Sequence, residues 1–554
     1  MVVMFCDFLV GKRTLLAYSI AVAFGTGCVS TDRTQIVTVS NERQWQAAVS
    51  HATPGSVIEV TGGDYRFDDA PLRIRICATE DAPVLIKAKT RGAVRFTGEY
   101  AITIEDSSYV TVDGLTFRNR ALKHALPQAP QTDTWLGAMR DELPYCGSIV
   151  VLNSDHCRLT RLDIELEERD GFTPTMIEQR LPRIHWINLT GGQHNRIDHC
   201  RMRGKVNSGV FIEIGPREQR FRIDHNYFTD KPHGNLNGFE AIRANPGGLG
   251  DNMYGMIDSN LFENCDGEGE IISVKGNVLR ISRNTFRDNQ GSVTVVCGSN
   301  IIIDYNYFLN PSGKDKVGGV VNYGNDCKVI NNYFGDLTTW GYRSGWGDIN
   351  KPDFSHEDDP YFKHNLGAFH FIRPQTCRAF IAFNTWANCA RFLNLGGYRS
   401  YELADAHLPP SDWTLLNNIV ICRDDLFIHG EGESGFRWLG NIFWNPQGRT
   451  NIGRDLPPTK VRAVDPQLER SSDGLWRLTQ GSPAIDNARA WFYHAEIAPG
   501  FDVDIDGQRR DFDVKITDPQ IQSEFKFDIG ADEYCDTPIA RRPLTADDVG
   551  PDAP

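Results

Sequence analysis

From residue 196 onward the chain repeats one short phrase in which apolar and polar positions alternate. The clear copies are RIDHNYF (222–228), MIDSNLF (256–262), RISRNTF (280–286), IIDYNYF (302–308), KVINNYF (328–334) and FIAFNTW (380–386). Fainter copies are LLNNIV (415–420) and WLGNIF (438–443), and the earliest, RIDHCRM (196–202), has Cys200 where the others have asparagine. Alternation of period two, bounded by Asn, Asp and Gly, predicts short strands separated by tight turns. The aligned positions are 200, 226, 260, 284, 306, 332, 384, 418 and 441. The basic unit is therefore in the low-to-mid twenties; the step from 332 to 384 reads as two units, and the steps of 34 residues as units with insertions.

A period in the twenties made of strands indicates a solenoid, because helical repeats are longer and show a 3.6-residue pattern. The LxxLxL framework of leucine-rich repeats is missing. The fold class predicted is all-β: a right-handed parallel β-helix with one coil per repeat. The recurring asparagine belongs in a turn, where it tolerates left-handed backbone and bonds to neighbouring coils. Solenoid ends need caps. SNERQWQAAVSHA (40–52) predicts a short N-terminal capping helix, with Ser40 or Asn41 as N-cap and Trp45, Ala48 and Val49 on one face. LTQGSPAID (478–486) and FDIGADEY (527–534) read as closing coils, which sets the domain at 38–534 and leaves 535–554 as a flexible tail.

The N-terminus has Lys12 and Arg13, then the apolar LLAYSIAVAF (15–24), then GTGC ending at Cys28. A basic region, an apolar stretch too short to span a bilayer and a small-residue processing site make residues 1–28 an export signal. Cys28 after small residues resembles a bacterial lipoprotein box. The expected location is the periplasm or the outer-membrane or cell surface of a bacterium, with membrane contact only through a lipid anchor at Cys28. Eleven cysteines follow without a CxxC pair, so they read as small buried hydrophobes rather than a disulfide framework. With 554 residues and a formal charge of -14, the chain lacks the basic footprint of a nucleic-acid binder.

The chemistry concentrates in DGEGEIISVK (266–275), where Glu268 and Glu270 stand two apart and Lys275 follows. On its own such a cluster reads equally as a solvated salt bridge or as a metal site beside a base. Three further stretches change the balance: NRIDHCRMRGKVNSG (195–209), NGFEAIR (237–243) and ISRNTF (281–286). Together with ATPGSVIEVTGGDY (52–65) and VTVDGLTFRN (110–119), they make the chain resemble polysaccharide lyase family 6, the chondroitinase B and alginate lyase group, over roughly residues 38–310.

The resemblance implies cleavage of an acidic, uronate-containing polysaccharide by β-elimination, with alginate as first substrate and dermatan sulfate or another glycosaminoglycan second. It implies Lys275 as general base and a Ca2+ ion held by Asn237, Glu268 and Glu270 that neutralises the uronate carboxylate. These roles suit the residues: calcium takes oxygen ligands, and a hard cation on the carboxylate stabilises the charge that builds up when the C5 proton leaves. Arg243 is a candidate for the substrate carboxylate or the calcium shell, and Arg373 for substrate binding.

One element of the family pattern is missing. The arginine that serves the family as acid falls within VTVVCGSN (293–300), at Val296. Counting back nine residues from successive repeat asparagines aligns Lys275, Cys297 and Tyr323 in one column, which makes Tyr323 the candidate acid. Three readings stay open at this point: a lyase with a substituted acid, a catalytically inactive calcium-dependent polysaccharide-binding protein, and a surface adhesin.

Overall fold

The computed structural model describes residues 36–119, 149–165, 184–234, 238–246, 251–346, 375–396, 408–489 except 425 and 431, 503–510, and 527–554 except 536. Each coil contributes one strand to each of three parallel sheets. Sheet A has 14 strands, from Ile36–Val39 to Arg437–Leu439. Sheet B also has 14, from Gly63–Arg66 to Val461–Arg462, and sheet C has 12, from Leu72–Ile74 to Ile428–Gly430. Strands pair in register with those one coil away; Arg196–Asp198, for example, lies between Arg158–Thr160 and Arg222–Asp224. This is the parallel β-helix the repeat predicts.

Every position of the repeat phrase has an identifiable task. In RID, arginine donates a forked pair of bonds to the aspartate of the next coil: Arg158 to Asp198, Arg196 to Asp224 and Arg222 to Asp258, at 2.6–2.9 Å. The isoleucine enters the core. The residue before the asparagine turns the corner from sheet A to sheet B in left-handed conformation, as His225 (φ 55°), Ser259 (φ 55°) and Arg283 (φ 56°) do. The asparagines are fully buried and form a ladder, each Nδ2 donating to the next Oδ1 at 2.9–3.1 Å from Asn226 to Asn441. The final aromatic stacks inside: Phe228, Phe262, Phe286, Phe308, Phe334 and Trp386 are spaced 4.7–4.8 Å apart.

The ladder corrects one reading of the spacing. Asn332 donates directly to Asn384 at 3.0 Å, and Lys328–Ile330 pairs with Phe380–Ala382. The 52-residue interval is thus a single coil with a long insertion, not two units. Spacing alone does not distinguish residues that climb the solenoid from residues that leave it.

At the N-terminal end the helix Glu42–His51 forms as expected, with Asn41 as N-cap: its Oδ1 accepts from Gln44 N–H at 3.0 Å, while Gln44 Oε1 accepts from Ser40 N–H at 2.9 Å. Trp45 and Val49 are buried, and the Trp45 ring meets Tyr65 and Phe96 edge-on.

The C-terminal expectation is corrected. Among the described residues the parallel coils end at Val461–Arg462, and those that follow fold back along the corner between sheets A and B instead of adding coils. There Ala531 N–H bonds Thr385 Oγ1, Ile505 N–H bonds Ala531 O, and buried Arg510 donates to Asn331 Oδ1 and Gly530 O. Of residues 535–554, expected to be a flexible tail, 537–554 run on toward earlier coils: Leu544 N–H bonds Thr285 Oγ1 and Gly550 N–H bonds His225 O. Within DIDG (504–507) and DIGADE (528–533), Asp504 accepts from Gln508 and Glu533 N–H and Asp528 from Asp486 and Tyr534 N–H, while Asp506 accepts from Tyr307 Oη of the coils at 2.7 Å.

Ten cysteines are described; all are free and eight are buried, as small hydrophobes would be. The expected export signal and lipid anchor at Cys28 lie outside the described residues. No helix among the described residues is long and apolar enough to cross a membrane.

Candidate active site

The site forms on sheet C, where NGFEAIR and DGEGEIISVK occupy consecutive coils. Ile242–Ala244 pairs with Glu270–Lys275, placing Arg243 beside Ser273, with Glu213 on its other side. Alternation along these strands sends Ile212, Ile214, Ile242 and Ala244 into the core and Glu213 and Arg243 to the outward face. Both are nevertheless buried, Arg243 completely.

Arg243 donates through Nε and Nη2 to the two oxygens of Glu240, at 2.9 and 2.6 Å, and its Nη1 lies 3.8 Å from Glu213. His185 Nδ1 lies 3.9 Å from the same Glu213 carboxylate. Burial works against ionisation of Glu240, but the charge and hydrogen bonds of Arg243, helped by Lys275, outweigh it and hold the carboxyl down to about 2.

Glu240, Glu268 and Glu270 converge: one carboxylate oxygen from each lies within 4.8 Å of the others. Burial, then the charges of Glu240 and Glu270, push Glu268 up to about 8, against a hydrogen bond from Gly238 N–H at 2.9 Å. Three carboxylates with too little positive charge around them repel one another, and a divalent cation relieves that repulsion. Calcium–oxygen distances of about 2.3–2.6 Å place ligands on opposite sides of the ion about 5 Å apart, so the cluster matches a calcium ion in size and in donor type.

The expected pair Glu268 and Glu270 is therefore brought together. Asn237 lies outside the described residues, although Gly238, the next residue, touches Glu268. Glu240 is the acid that sequence reasoning missed. Its signal was an acid three residues before Arg243 in NGFEAIR, a spacing that reads equally as an ordinary ion pair. Arg243, expected on the substrate carboxylate or in the calcium shell, is sealed beneath the site, where it pairs with Glu240 of the acid cluster. Arg373 lies outside the described residues.

Lys275 closes its strand, half-buried, opposite Cys297. The expected column holds for that pair, with a bulge in the middle strand. Val296 is an extra residue on its strand, because Val274 pairs with Val295 and Lys275 with Cys297. One coil on, Tyr323 N–H bonds Val295 O and Asn325 N–H bonds Gly298 O, so Tyr323 faces both Val296 and Cys297 across the bulge. The count of nine back from the repeat asparagines therefore brings Tyr323 beside Cys297, and the bulge adds Val296 to the column. Tyr323 is 5% exposed.

The family model of chondroitinase B matches residues 39–396. Comparison with curated protein sequences returns no match. Among solved structures, the PL6 family alginate lyase AlyGC shares 22% identity with a TM-score of 0.63 over 80% of this chain and 55% of its own, so this chain spans about half the length of that enzyme. The PL6 family polysaccharide lyase Pedsa3628 from Pseudopedobacter saltans shares 22% identity with a TM-score of 0.59, over 79% of this chain and 98% of its own. A PL6 alginate lyase in complex with a trisaccharide shares 18% identity with a TM-score of 0.60, over 82% and 92%. At these identities the likeness is one of fold. The family match, which takes in the coils that carry Glu240, Glu268, Glu270 and Lys275, goes further: the chain belongs to the chondroitinase B family of polysaccharide lyases, PL6.

Proposed function

We propose that the protein is an exported lyase that cleaves a uronate-containing polysaccharide by β-elimination, alginate first and dermatan sulfate or another glycosaminoglycan second. The observation that carries this reading is the convergence of Glu240, Glu268 and Glu270 on the sheet whose next residues lead to Lys275. Glu268 and Glu270, with Glu240 held in place by Arg243, would hold calcium, and Asn237 is the neutral oxygen expected to join them. Bound calcium would supply neutralisation of the uronate carboxylate.

Lys275 takes the proton from C5 of the sugar. The C4–oxygen bond then breaks, a C4–C5 double bond forms, and the departing oxygen needs a proton. Tyr323, beside Val296, is the group proposed to supply it, since valine has no proton to give. The decisive test is incubation with alginate, dermatan sulfate and other uronates while the absorbance of the unsaturated uronate is followed. A rise that depends on Lys275 supports the lyase. Val296 favours a second reading, an inactive calcium-dependent polysaccharide binder; retention on alginate without any absorbance change would establish that instead.

A further inference from the structure

Sheet C carries its acids on two separate coils, and something must hold those coils at a fixed separation. On the coil that carries Glu240, at the end of the sheet B strand Tyr227–Lys231, Lys231 is completely buried although it is a lysine. Its Nζ donates to Gly209 O at 3.0 Å, the last residue of GKVNSG. The same ammonium stands 5.1 Å from the ring centre of Phe211 and 5.6 Å from that of Phe239, the neighbour of Glu240. Its stem passes under Gly267, the neighbour of Glu268: a Cβ on Gly267 would fall 3.0 Å from Lys231 Cε and 2.0 Å from Phe239 O. The backbone of Lys231 joins the same turn, its carbonyl accepting from Asp266 N–H at 2.7 Å.

We infer that Lys231 is a positioning residue for the acidic trio, tying GKVNSG, NGFEAIR and DGEGE together so that Glu240 and Glu268 face one another across two coils. Withdrawing an ammonium from water is costly, and methionine would fill the same volume without that cost. A lysine at this position is therefore explained by what its nitrogen does: it fixes the Gly209 carbonyl and presents a cation to two aromatic faces. The glycine at 267 is explained by the same contact, because only a residue without a side chain lets the Glu268 turn approach Phe239 O so closely.

Lys205 provides the control. It too is completely buried, but its Nζ bonds Asn207 Oδ1 and Ser208 O and stands 5.4 Å from the ring centre of Trp186. The inference rests on the metal reading above, so two measurements separate their fates. In calcium titration calorimetry, Lys231→Met is expected to lose about tenfold or more in affinity, as supporting residues around metal ligands do, while Lys205→Met stays within about twofold of wild type. In metal-free protein, hydrogen exchange in 238–244 and 266–270 should quicken in Lys231→Met and stay as in wild type in Lys205→Met. Equal behaviour of the two variants in exchange overturns the role of Lys231 whether or not calcium binds. Absence of calcium binding by wild type, with the exchange contrast intact, defeats the metal reading alone.

Discussion

Replacing Asn306 by alanine tests whether the asparagine ladder holds the coils together. Asn306 Oδ1 accepts two donors from the preceding rung, Asn284 N–H at 2.9 Å and Asn284 Nδ2 at 3.0 Å. Its own Nδ2 donates to Ile281 O, Asp304 O and Asn332 Oδ1 at 2.9–3.0 Å. All these residues are fully buried. Alanine leaves the two Asn284 donors without that acceptor, and each unsatisfied buried group costs about 1–3 kcal/mol, for a total near 4 kcal/mol. Asn226→Ala is the internal comparison. Asn226 Oδ1 accepts only Cys200 N–H from the coil before, at 2.9 Å, because the residue there has no amide to offer. That variant strands one donor, so its cost should be smaller by about 2 kcal/mol. Urea unfolding followed by far-UV circular dichroism measures both, provided the slopes agree with wild type. A cost below about 1 kcal/mol for Asn306→Ala, or equal costs for the two variants, would refute a ladder in which each rung bears its own hydrogen bonds.

Cys200→Asn should extend the ladder by one rung and raise the urea midpoint by the equivalent of about 1 kcal/mol, since Leu162 N–H now points at a weakly accepting sulfur 3.4 Å away. No gain in midpoint would mean that an amide does not fit there. Lys275→Ala should abolish formation of unsaturated uronate, whereas Tyr323→Phe should lower turnover with polysaccharide retention unchanged; a silent Tyr323→Phe excludes the tyrosine as acid. Glu268→Ala should eliminate the calcium heat seen by calorimetry with wild type, and persistence of that heat would move the metal elsewhere. Burial pushes the Glu218 carboxyl up to about 7, against bonds from Asn195 and Gly192 N–H. The folded state then holds this proton more tightly than the unfolded chain. Stability from Glu218 is therefore full below the unfolded value near 4.5 and is lost as the pH rises through about 7. That amounts to about 3 kcal/mol. Glu218→Gln should flatten this slope in melting temperature against pH; an unchanged slope would sink the assignment.

Much of the architecture is legible in seven letters. RIDHNYF announces an ion pair to the next coil, a core residue, a left-handed corner, a ladder amide and a stacked ring, because one coil looks like the next and each contact repeats. Glu268, Glu270 and Lys275 are legible for a related reason: ten residues contain all three, and a strand fixes their relation. Glu240 is not, since its meaning depends on which coil stacks on which. The bulge at Val296 is not legible either, because it leaves no mark on the spacing of asparagines. The course of the described residues after 462 is hidden differently: Arg470, Arg510 and Asp506 find partners 134, 179 and 199 positions away, on a flank that exists only after the coils are built.

The direct bond from Asn332 to Asn384 has a consequence for how such a protein can change over generations. Fifty-one residues intervene between two rungs that sit as close as any other pair, so the frame takes no notice of what is inserted between them. The entropic cost of closing a loop grows only slowly with its length, about 0.6 kcal/mol for each doubling. Segments can therefore be lengthened, exchanged or deleted at a corner while the rungs above and below stay bonded. Descendants of one ancestral solenoid can in this way come to prefer different polymers, with the inheritance of the scaffold undisturbed and novelty confined to its edges.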